Sequence, residues 1–420
     1  MSLIRACAIT CDCYPEDPLV RRTAEAAASA GYEYHVICSM RDGQTKYDVL
    51  NGVHVHRICI RGSNGKPLGR ITAMPVGAML MLWILFAFLA LTKVAQLHFK
   101  LRFDVVHVHN LPDFLAFAAL VPKCFGARVI LHVQDVAPEL MAVKAKGLFR
   151  RITVPLAKWQ ERISTGFADH VLTVGWPFEQ LLLKRGVRRE KLSSVLNSAD
   201  PKIFPEGKRT DPFLGEATAE RPIILMYHGT CSERNGLDIA IRAFAKARAA
   251  APHLHLHLKG GGDSLLCLRQ LAQTLDVTDH IVFSPIGPLD EVVDFVAKGD
   301  IGIIPYPSNG FMDLVLPTKA YEFAWMRRPI IASNTAAIRS MFRPGSIRLC
   351  EPSNIDSFAE AIIDLYRHPQ KRAQLVAGAE QDYMDYRWEL MAERYQQLIA
   401  SMARKETQQA KSKSSLRATN

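Results

Sequence analysis

LPTKAYEFAWMRRPIIAS, residues Leu316 to Ser333, reads as a turn, a short helix and a buried strand. Pro317 has the fixed φ that suits a first helical turn. The apolar run Ala320 to Met326 carries the helix, and Pro329 ends it before the β-branched pair Ile330–Ile331. A helix start leaves backbone N–H groups free, and with Lys319 beside them it makes an anion site. Glu322, one turn further in, can accept hydrogen bonds from a sugar hydroxyl. These are groups suited to a phosphorylated sugar. They would serve equally in an ordinary amphipathic helix with a surface Lys and Glu, and the rest of the chain has to decide.

At 420 residues the chain is long enough for two or three domains, and 49% hydrophobic with 22% charged residues is a globular composition. The net charge of +11, from 52 basic and 41 acidic residues, favours an anionic partner such as a nucleotide diphosphate or a membrane face. Nucleic acid is not expected, because no RNA or DNA motif is visible and the cations are scattered. Nine cysteines without repeated CxxC pairs point to free thiols in a reducing compartment. The N-terminus shows no apolar signal region, so residence in the cytosol is expected.

Strands and helices alternate along the first half: Leu3–Thr10, Val20–Ala30, Tyr34–Cys38, Val53–Ile60, Asp104–His109, a helix over 112–125, then Arg128–Val133 and Ala168–Val174. Alternation of this kind predicts an α/β domain with a parallel sheet, whose ligands sit beyond the carboxyl ends of the strands. Three segments fall there: Asp12–Asp17, Asn110–Asp113 and His132–Glu139. His132, with Asp135 nearby, is a candidate for contact with a sugar. His54/His56, His107/His109 and His253/His255/His257 repeat with period two, which places each set on one face of a strand. They read as packed residues, with no metal expected, since no carboxylate or thiol recurs with them.

Around Lys202 to Glu220 the chain turns polar, with prolines and glycines, and this is the expected domain boundary. The second half repeats the pattern: Ile223–Tyr227, the loop HGTCSERNG, a helix from Leu237 to Ala250, Leu254–Leu258 running into KGGGD, Ile281–Phe283, a helix Leu289–Ala297 and the strand Ile301–Pro305. Gly229 and Thr230 before a helix start make a phosphate site, within reach of Arg234 as a permanent cation. Gly261 lets backbone approach a ligand closely.

The ordered set HGT…ERNGLDIAIRAF, LKGGGD, VFSPIG, GDIGIIPY and LPTKAYEFAWMRRPIIAS resembles the donor-binding domain of the retaining glycosyltransferases of family four. DVVHVHN, HVQDVAPE, ADHVLTV and LNSADPKIF are similar to that family's acceptor domain. The resemblance spans roughly residues 3 to 400 and implies the GT-B fold, two facing Rossmann-like domains with an interdomain cleft. Its expected divisions are residues 1–205 for the acceptor domain, 206–386 for the nucleotide-sugar domain, 387–404 for a helix crossing back, and 405–420 for a disordered basic tail. The crossing helix would pack through Leu390, Met391, Tyr395 and Leu398.

By the same resemblance, Glu322 is implied to bind the nucleotide ribose, and Pro317, Thr318 and Lys319 to form the diphosphate cradle. Arg234 falls within the diphosphate-binding pair, the loop Ser284–Gly287 with Ile286 reads the base, and His132 lies near the transferred sugar. Leu314 stands where a first glutamate is expected, and Asp313, the neighbouring carboxylate, joins His132 and Asp135 as the expected catalytic set. Asn235 takes the place of a usual lysine, and Arg327 that of a usual glycine. The implied reaction moves a sugar from a UDP- or GDP-linked donor to a lipid-linked or glycan acceptor, with retention and without cofactor or metal. A degenerate binding scaffold and a nucleotide-sugar epimerase are the alternatives.

Ile71 to Thr92 contains no charged residue. As a helix it would be about 33 Å long, enough for a bilayer core. Strands of one sheet on either side rule out a single crossing, so the segment is expected to dip into one leaflet or to meet a partner. Arg57, Arg61, Lys66, Arg70, Lys93, Lys100 and Arg102 around it would attract anionic lipid, placing the protein on the cytosolic face of a membrane.

Overall fold

A computed structural model describes residues 3–62, 65–69, 76–145 and 147–417, with backbone alone at 76, 144, 289 and 404–417. The chain forms two compact units, residues 1–196 with 389–420, and residues 197–388.

In the first unit the strands are β1 (Arg5–Cys13), β2 (Glu33–Ser39), β3 (Tyr47–Leu50), β4 (Val53–Ile58), β5 (Val105–His109), β6 (Arg128–Val133), β7 (His170–Thr173) and β8 (Leu192–Ser194). They lie in the order β3-β4-β2-β1-β5-β6-β7-β8. Every neighbouring pair is parallel except β3 with β4. The helices are α1 (Pro18–Ser29), α2 (Val76–Leu101), α3 (Leu120–Cys124), α4 (Ala137–Lys144), α5 (Gly147–Phe167) and α6 (Trp176–Lys184). The central strands are buried on both faces, with Ala6, Cys7, Ala8, Ile9, Val105, Val106 and Val108 fully enclosed, which is why they read as unbroken apolar runs.

The second unit has β9 (Ile223–His228), β10 (Leu254–Lys259), β11 (Ile281–Ser284), β12 (Ile301–Ile304), β13 (Ile330–Ser333) and β14 (Arg348–Cys350). They form an all-parallel sheet in the order β11-β10-β9-β12-β13-β14. Around them run α7 (Leu237–Arg248), α8 (Leu265–Thr274), α9 (Leu289–Lys298), α10 (Thr318–Trp325), α11 (Ala336–Met341), α12 (Ile355–Arg367) and α13 (Pro369–Met384). The last helix, α14, covers Trp388–Arg417.

Several expectations shift. The expected helix over 112–125 is a 3-10 helix, Asp113–Ala119, followed by the short α3. The division falls after Leu196 instead of residue 205. Residues 197–205 pack within the second unit, where Ser198 Oγ donates to the Tyr386 carbonyl and Trp325 Nε1 donates to the Phe204 carbonyl at 2.7 Å. The expected tail from Lys405 is instead a helical continuation of α14 to Arg417. Residues 418–420 lie outside the described residues.

From Glu389 on, α14 belongs to the first unit. Its buried stripe is Met391, Tyr395, Ile399 and Met402; Leu390 and Leu398, expected on that stripe, are only half-buried. Tyr395 Oη lies 2.6 Å from Tyr34 Oη, and Gln396 Nε2 donates to the Ala26 carbonyl at 2.7 Å. All nine cysteines are free thiols.

Residues 71–75 of the apolar segment lie outside the described residues, and the helix runs on to Leu101. Strands β4 and β5, which α2 connects, share one sheet, so α2 does not cross a bilayer. Nor does it dip freely into one, because Met79, Trp83, Phe86, Ala90, Val94 and His98 are buried at spacings of three and four residues, a stripe that packs against the first unit. Its other face is apolar and open: Leu80, Met81, Ile84, Leu85 and Phe88 are all exposed.

Candidate functional site

In the second unit the site grows from the carboxyl end of the parallel sheet. Beyond β9 and β10 the chain stays paired: Gly229 N–H donates to the Lys259 carbonyl and Cys231 N–H to the Gly261 carbonyl, both at 2.9 Å. A Cβ on Gly260 would stand 1.9 Å from the Gly229 carbonyl oxygen, and one on Gly262 would stand 2.3 Å from that of Cys231. These glycines therefore allow two backbone loops to touch, and Gly229 itself has φ +121. A Cβ on Gly261 would come within 3.2 Å of Ile286, which is exposed, so the structure brings these two expected residues together.

The helix α10 starts beside these loops. Pro317 is its N-cap, one position before the first turn in which it was expected, and gives no side-chain cap. Lys319 is only 8% exposed. Its Nζ donates to Tyr306 Oη at 3.1 Å and to Tyr227 Oη at 3.4 Å, and lies 4.5 Å from the centre of the Tyr227 ring. Burial alone would push this ammonium's pKa down, but the two phenols more than offset it and hold the group cationic. Among the described residues no carboxylate pairs with it. A Cβ on Gly229 would stand 3.5 Å from its Nζ, so the cation and the glycine loop address the same space.

Glu322 lies one turn further on, its Oε2 3.1 Å from His228 Nε2 at the end of β9. The two atoms are buried and too poorly aligned for a hydrogen bond, which leaves both with capacity for a ligand. His228, Tyr227 and Tyr306 escaped the sequence reading; His228 stands beside the quoted glycine loop, and the tyrosines sit on or just after apolar strands.

Arg234 is exposed on a 3-10 turn, Glu233–Asn235, with Thr230 also exposed. Asn235 turns inward, donating to the Thr230 carbonyl at 2.5 Å, and so shapes the loop instead of extending a cation to it. Asp313 accepts from Ser308 Oγ at 3.0 Å through both oxygens, which closes its own loop. Arg327, at φ 59, occupies the left-handed position that explains why glycine is usual there.

In the first unit His132 is fully buried at the end of β6. Its Nδ1 lies 3.2 Å from His107 Nε2, His107 Nδ1 lies 2.8 Å from Tyr395 Oη, and Gln134 Nε2 donates to His109 Nδ1 at 2.7 Å. The Tyr395–His107–His132 chain can carry its protons in either direction, while Gln134 makes His109 Nε2 the protonated nitrogen of its ring; the buried Nε2 atoms of His132 and His109 find no partner among the described residues. Burial keeps all three rings neutral, His132 down to about 3. One nitrogen from each lies within 4.8 Å of the others, a spacing compatible with a metal. The sequence placed His107 and His109 on one strand face; that β6 brings His132 against them was not legible.

Asp135 sits three residues beyond His132, and its carbonyl accepts from Asn110 Nδ2 at 2.7 Å. Asn110 Nδ2 also donates to Asp113, at 2.7 Å. Behind this loop Arg185 pairs with Glu139 and, at 2.6 Å, with Glu161. Burial raises the Asp113 carboxyl to about 6 and that of Glu161 to about 7. The expected catalytic set is thus divided, with His132 and Asp135 in the first unit and Asp313 in the second.

Residues 212–382 match the family model of the glycosyl transferases group 1, and residues 18–197 that of the glycosyl transferase 4-like domain. The chain belongs to the family-4-like glycosyltransferases. A GDP-mannose-dependent alpha-(1-6)-phosphatidylinositol monomannoside mannosyltransferase of Mycolicibacterium smegmatis is 25% identical to this glycosyltransferase over 54% of its chain and 63% of the relative's. A D-inositol 3-phosphate glycosyltransferase of Acidothermus cellulolyticus is 26% identical over 53% of this chain and 51% of its own. These matches therefore span less than two thirds of either relative's length. An alpha-D-kanosaminyltransferase of Streptomyces kanamyceticus aligns over 86% of this chain and 92% of its own, at 22% identity. Sucrose-phosphate synthase from Thermosynechococcus elongatus superposes with a TM-score of 0.73 at 16% identity, covering 95% of this chain and 99% of the other. An Anabaena structure in complex with UDP and glucose gives 0.65 at 14% identity, over 95% and 98%. At such identities the structures establish the fold, GT-B.

Glu322→Gln is expected to leave this glycosyltransferase folded and to lower its transfer rate by roughly tenfold to a hundredfold, since a hydrogen bond to a charged group contributes about 1.5–3 kcal/mol. Comparing kcat/KM and the melting temperature of the two proteins checks this; an unaltered rate would remove Glu322 from the site.

Proposed function

We propose that this chain transfers a sugar from a UDP- or GDP-linked donor to an acceptor hydroxyl, with retention of configuration and without a metal ion. Lys319 carries the reading. A buried ammonium that no carboxylate among the described residues pairs with, at a helix start and beside a glycine loop, is placed to receive an anion. A nucleotide diphosphate does so. As the sugar departs, negative charge grows on the leaving phosphate, and Lys319, the helix start and Arg234 supply fixed positive charge aimed at it. Glu322 holds the ribose through the capacity that His228 leaves unused. His132 and His109 each keep the Nε2 nitrogen of a neutral ring for a sugar hydroxyl.

The acceptor is proposed to be lipid-linked, in surface polysaccharide or glycolipid assembly, with the protein on the cytosolic face of a membrane. The phosphatidylinositol monomannoside in the name of the Mycolicibacterium smegmatis relative supports this, as does the open apolar face of α2. Met81, Ile84 and Phe88 are its outermost residues, whereas Leu82 and Leu89 are only half-exposed. Wild-type protein is expected to sediment with membranes and to be released by detergent more readily than by salt. Ile84→Glu with Phe88→Glu should move most of it to the soluble fraction, because each fully buried apolar side chain contributes roughly 1.5–3 kcal/mol. A wild-type protein soluble without detergent would overturn the membrane reading.

The activity itself is tested by titrating nucleotide diphosphates and their sugars in a thermal-shift assay and then measuring acceptor-dependent release of nucleotide diphosphate, with and without EDTA. The proposal expects stabilisation by one base, release that needs acceptor, and no loss with EDTA. An epimerase would convert the donor without acceptor, and a scaffold would bind it without release. An inverted product by NMR would overturn retention.

A further inference from the structure

The helix α5, Gly147–Phe167, is inside out. Its buried positions are Ala157, Glu161, Ser164 and Thr165, small or polar, while its outer face carries Leu148, Phe149, Ile152, Leu156, Trp159 and Ile163. These six are between 36% and 72% exposed, and their spacings of one, three, four, three and four residues lay them along one helical stripe. A helix of a water-soluble surface has the opposite arrangement, so the stripe is built for an apolar medium.

Charge says which medium. Arg150, Arg151, Lys158 and Arg162 are exposed on the same helix. Its only carboxylate, Glu161, is turned inward onto Arg185. Three of these cations, Arg151, Lys158 and Arg162, therefore run along one edge of an apolar stripe with no anion beside it, and the stripe contains a tryptophan, the side chain that favours the boundary between headgroups and acyl chains. The same 3-10 helix, Asp113–Ala119, packs against both α5 and α2, so the two open apolar faces flank one element of the first unit.

We propose that α5 lies flat in the interface of an anionic bilayer as a second docking element of the first unit, its stripe among the acyl chains and its cations at the phosphates. The proposal deepens the membrane reading of α2 without deriving from it, since it stands on residues of α5 alone. It gives the binding surface a lipid preference, because counterion release by these cations favours anionic over neutral headgroups.

The test uses the full chain with vesicles of phosphatidylglycerol and phosphatidylcholine, or of phosphatidylcholine alone. Lipids brominated in the acyl chains are expected to quench wild-type fluorescence clearly more than that of Trp159→Phe, a substitution too conservative to unfold the helix. Ile152→Glu with Leu156→Glu should weaken binding to the anionic vesicles by tenfold or more at an unchanged melting temperature, and Arg151→Glu with Lys158→Glu should abolish the preference for them. If bromine quenches wild type and Trp159→Phe alike, and the Ile152/Leu156 variant binds as wild type does while the α2 variant does not, α5 stays in water; this inference falls and the reading of α2 stands. Wild-type protein that binds neither vesicle sinks both. If no quenching occurs and the Ile152/Leu156 variant instead turns a wild-type dimer into a monomer, the stripe meets a second copy of the chain and the proposal is wrong.

Discussion

Replacing Lys319 by alanine is expected to weaken UDP or GDP binding by roughly tenfold to a hundredfold while the protein stays folded. The affinity estimate rests on a charge-assisted hydrogen bond to a diphosphate being worth about 1.5–3 kcal/mol. The stability side is the more diagnostic. The ammonium is enclosed, donates only to two phenols and has no described carboxylate, so removing it relieves a buried charge and forfeits the contacts over the Tyr227 and Tyr306 rings. The phenols more than offset the cost of burial, so the melting temperature of the unliganded protein should change little or fall. Lys319→Met, which keeps the volume, separates charge from packing. Calorimetric titration of each variant checks the prediction; unchanged affinity in a folded Lys319→Ala protein would remove the cradle from this helix.

The second large effect is expected on acidification. His107, His109 and His132 are buried and neutral, with pKa values pushed down by burial, and burial also pulls His56 down to about 4. In the unfolded chain each titrates near its usual value, so below about pH 6.5 the unfolded state binds more protons and stability falls as pH falls. Glu161 and Asp113 act the other way: their raised pKa values make the native state the better proton binder from about 7 downward. His35, His98, His255 and His257 are also held down, and Asp104 is also held up, so eight histidines against three carboxyls leave a net loss of stability from about pH 7 to about pH 5. Urea unfolding followed by circular dichroism across that range checks it. A flat or rising curve would mean that these imidazoles are charged or solvated in the native protein.

Both predictions rest on groupings that the sequence announces only in part. The helix start at Lys319 and Glu322 was legible because proline, a short apolar run and a second proline bracket it locally. The glycines at 229 and 261 were legible for the same reason, since a turn or close approach is a property of a few consecutive residues. The phenols that hold Lys319 come from residues 92 positions before it and 13 before it, and no local pattern connects them. The same holds for Tyr395, which reaches His107 across 288 positions. Leu314 in place of an expected glutamate was visible, but that the neighbouring Asp313 spends its carboxylate on Ser308 was not.

Membrane chemistry shows the same division. An uncharged run of residues stands out in any sequence, so the segment leading into α2 was noticed, whereas α5 was missed because arginines and lysines interrupt its apolar positions. What the sequence by itself determined is the alternation of most strands and helices, the parallel pairing at the centre of both sheets and the short turns at the donor cradle, because hydrophobic period and turn chemistry act over a few residues. Only the tertiary structure decided which face of each helix is covered, which histidines meet, and that the buried Lys319 has no carboxylate beside it among the described residues. Those outcomes depend on strand order and packing between residues far apart in the chain, and a side chain's period says that it has a face without saying what that face will meet.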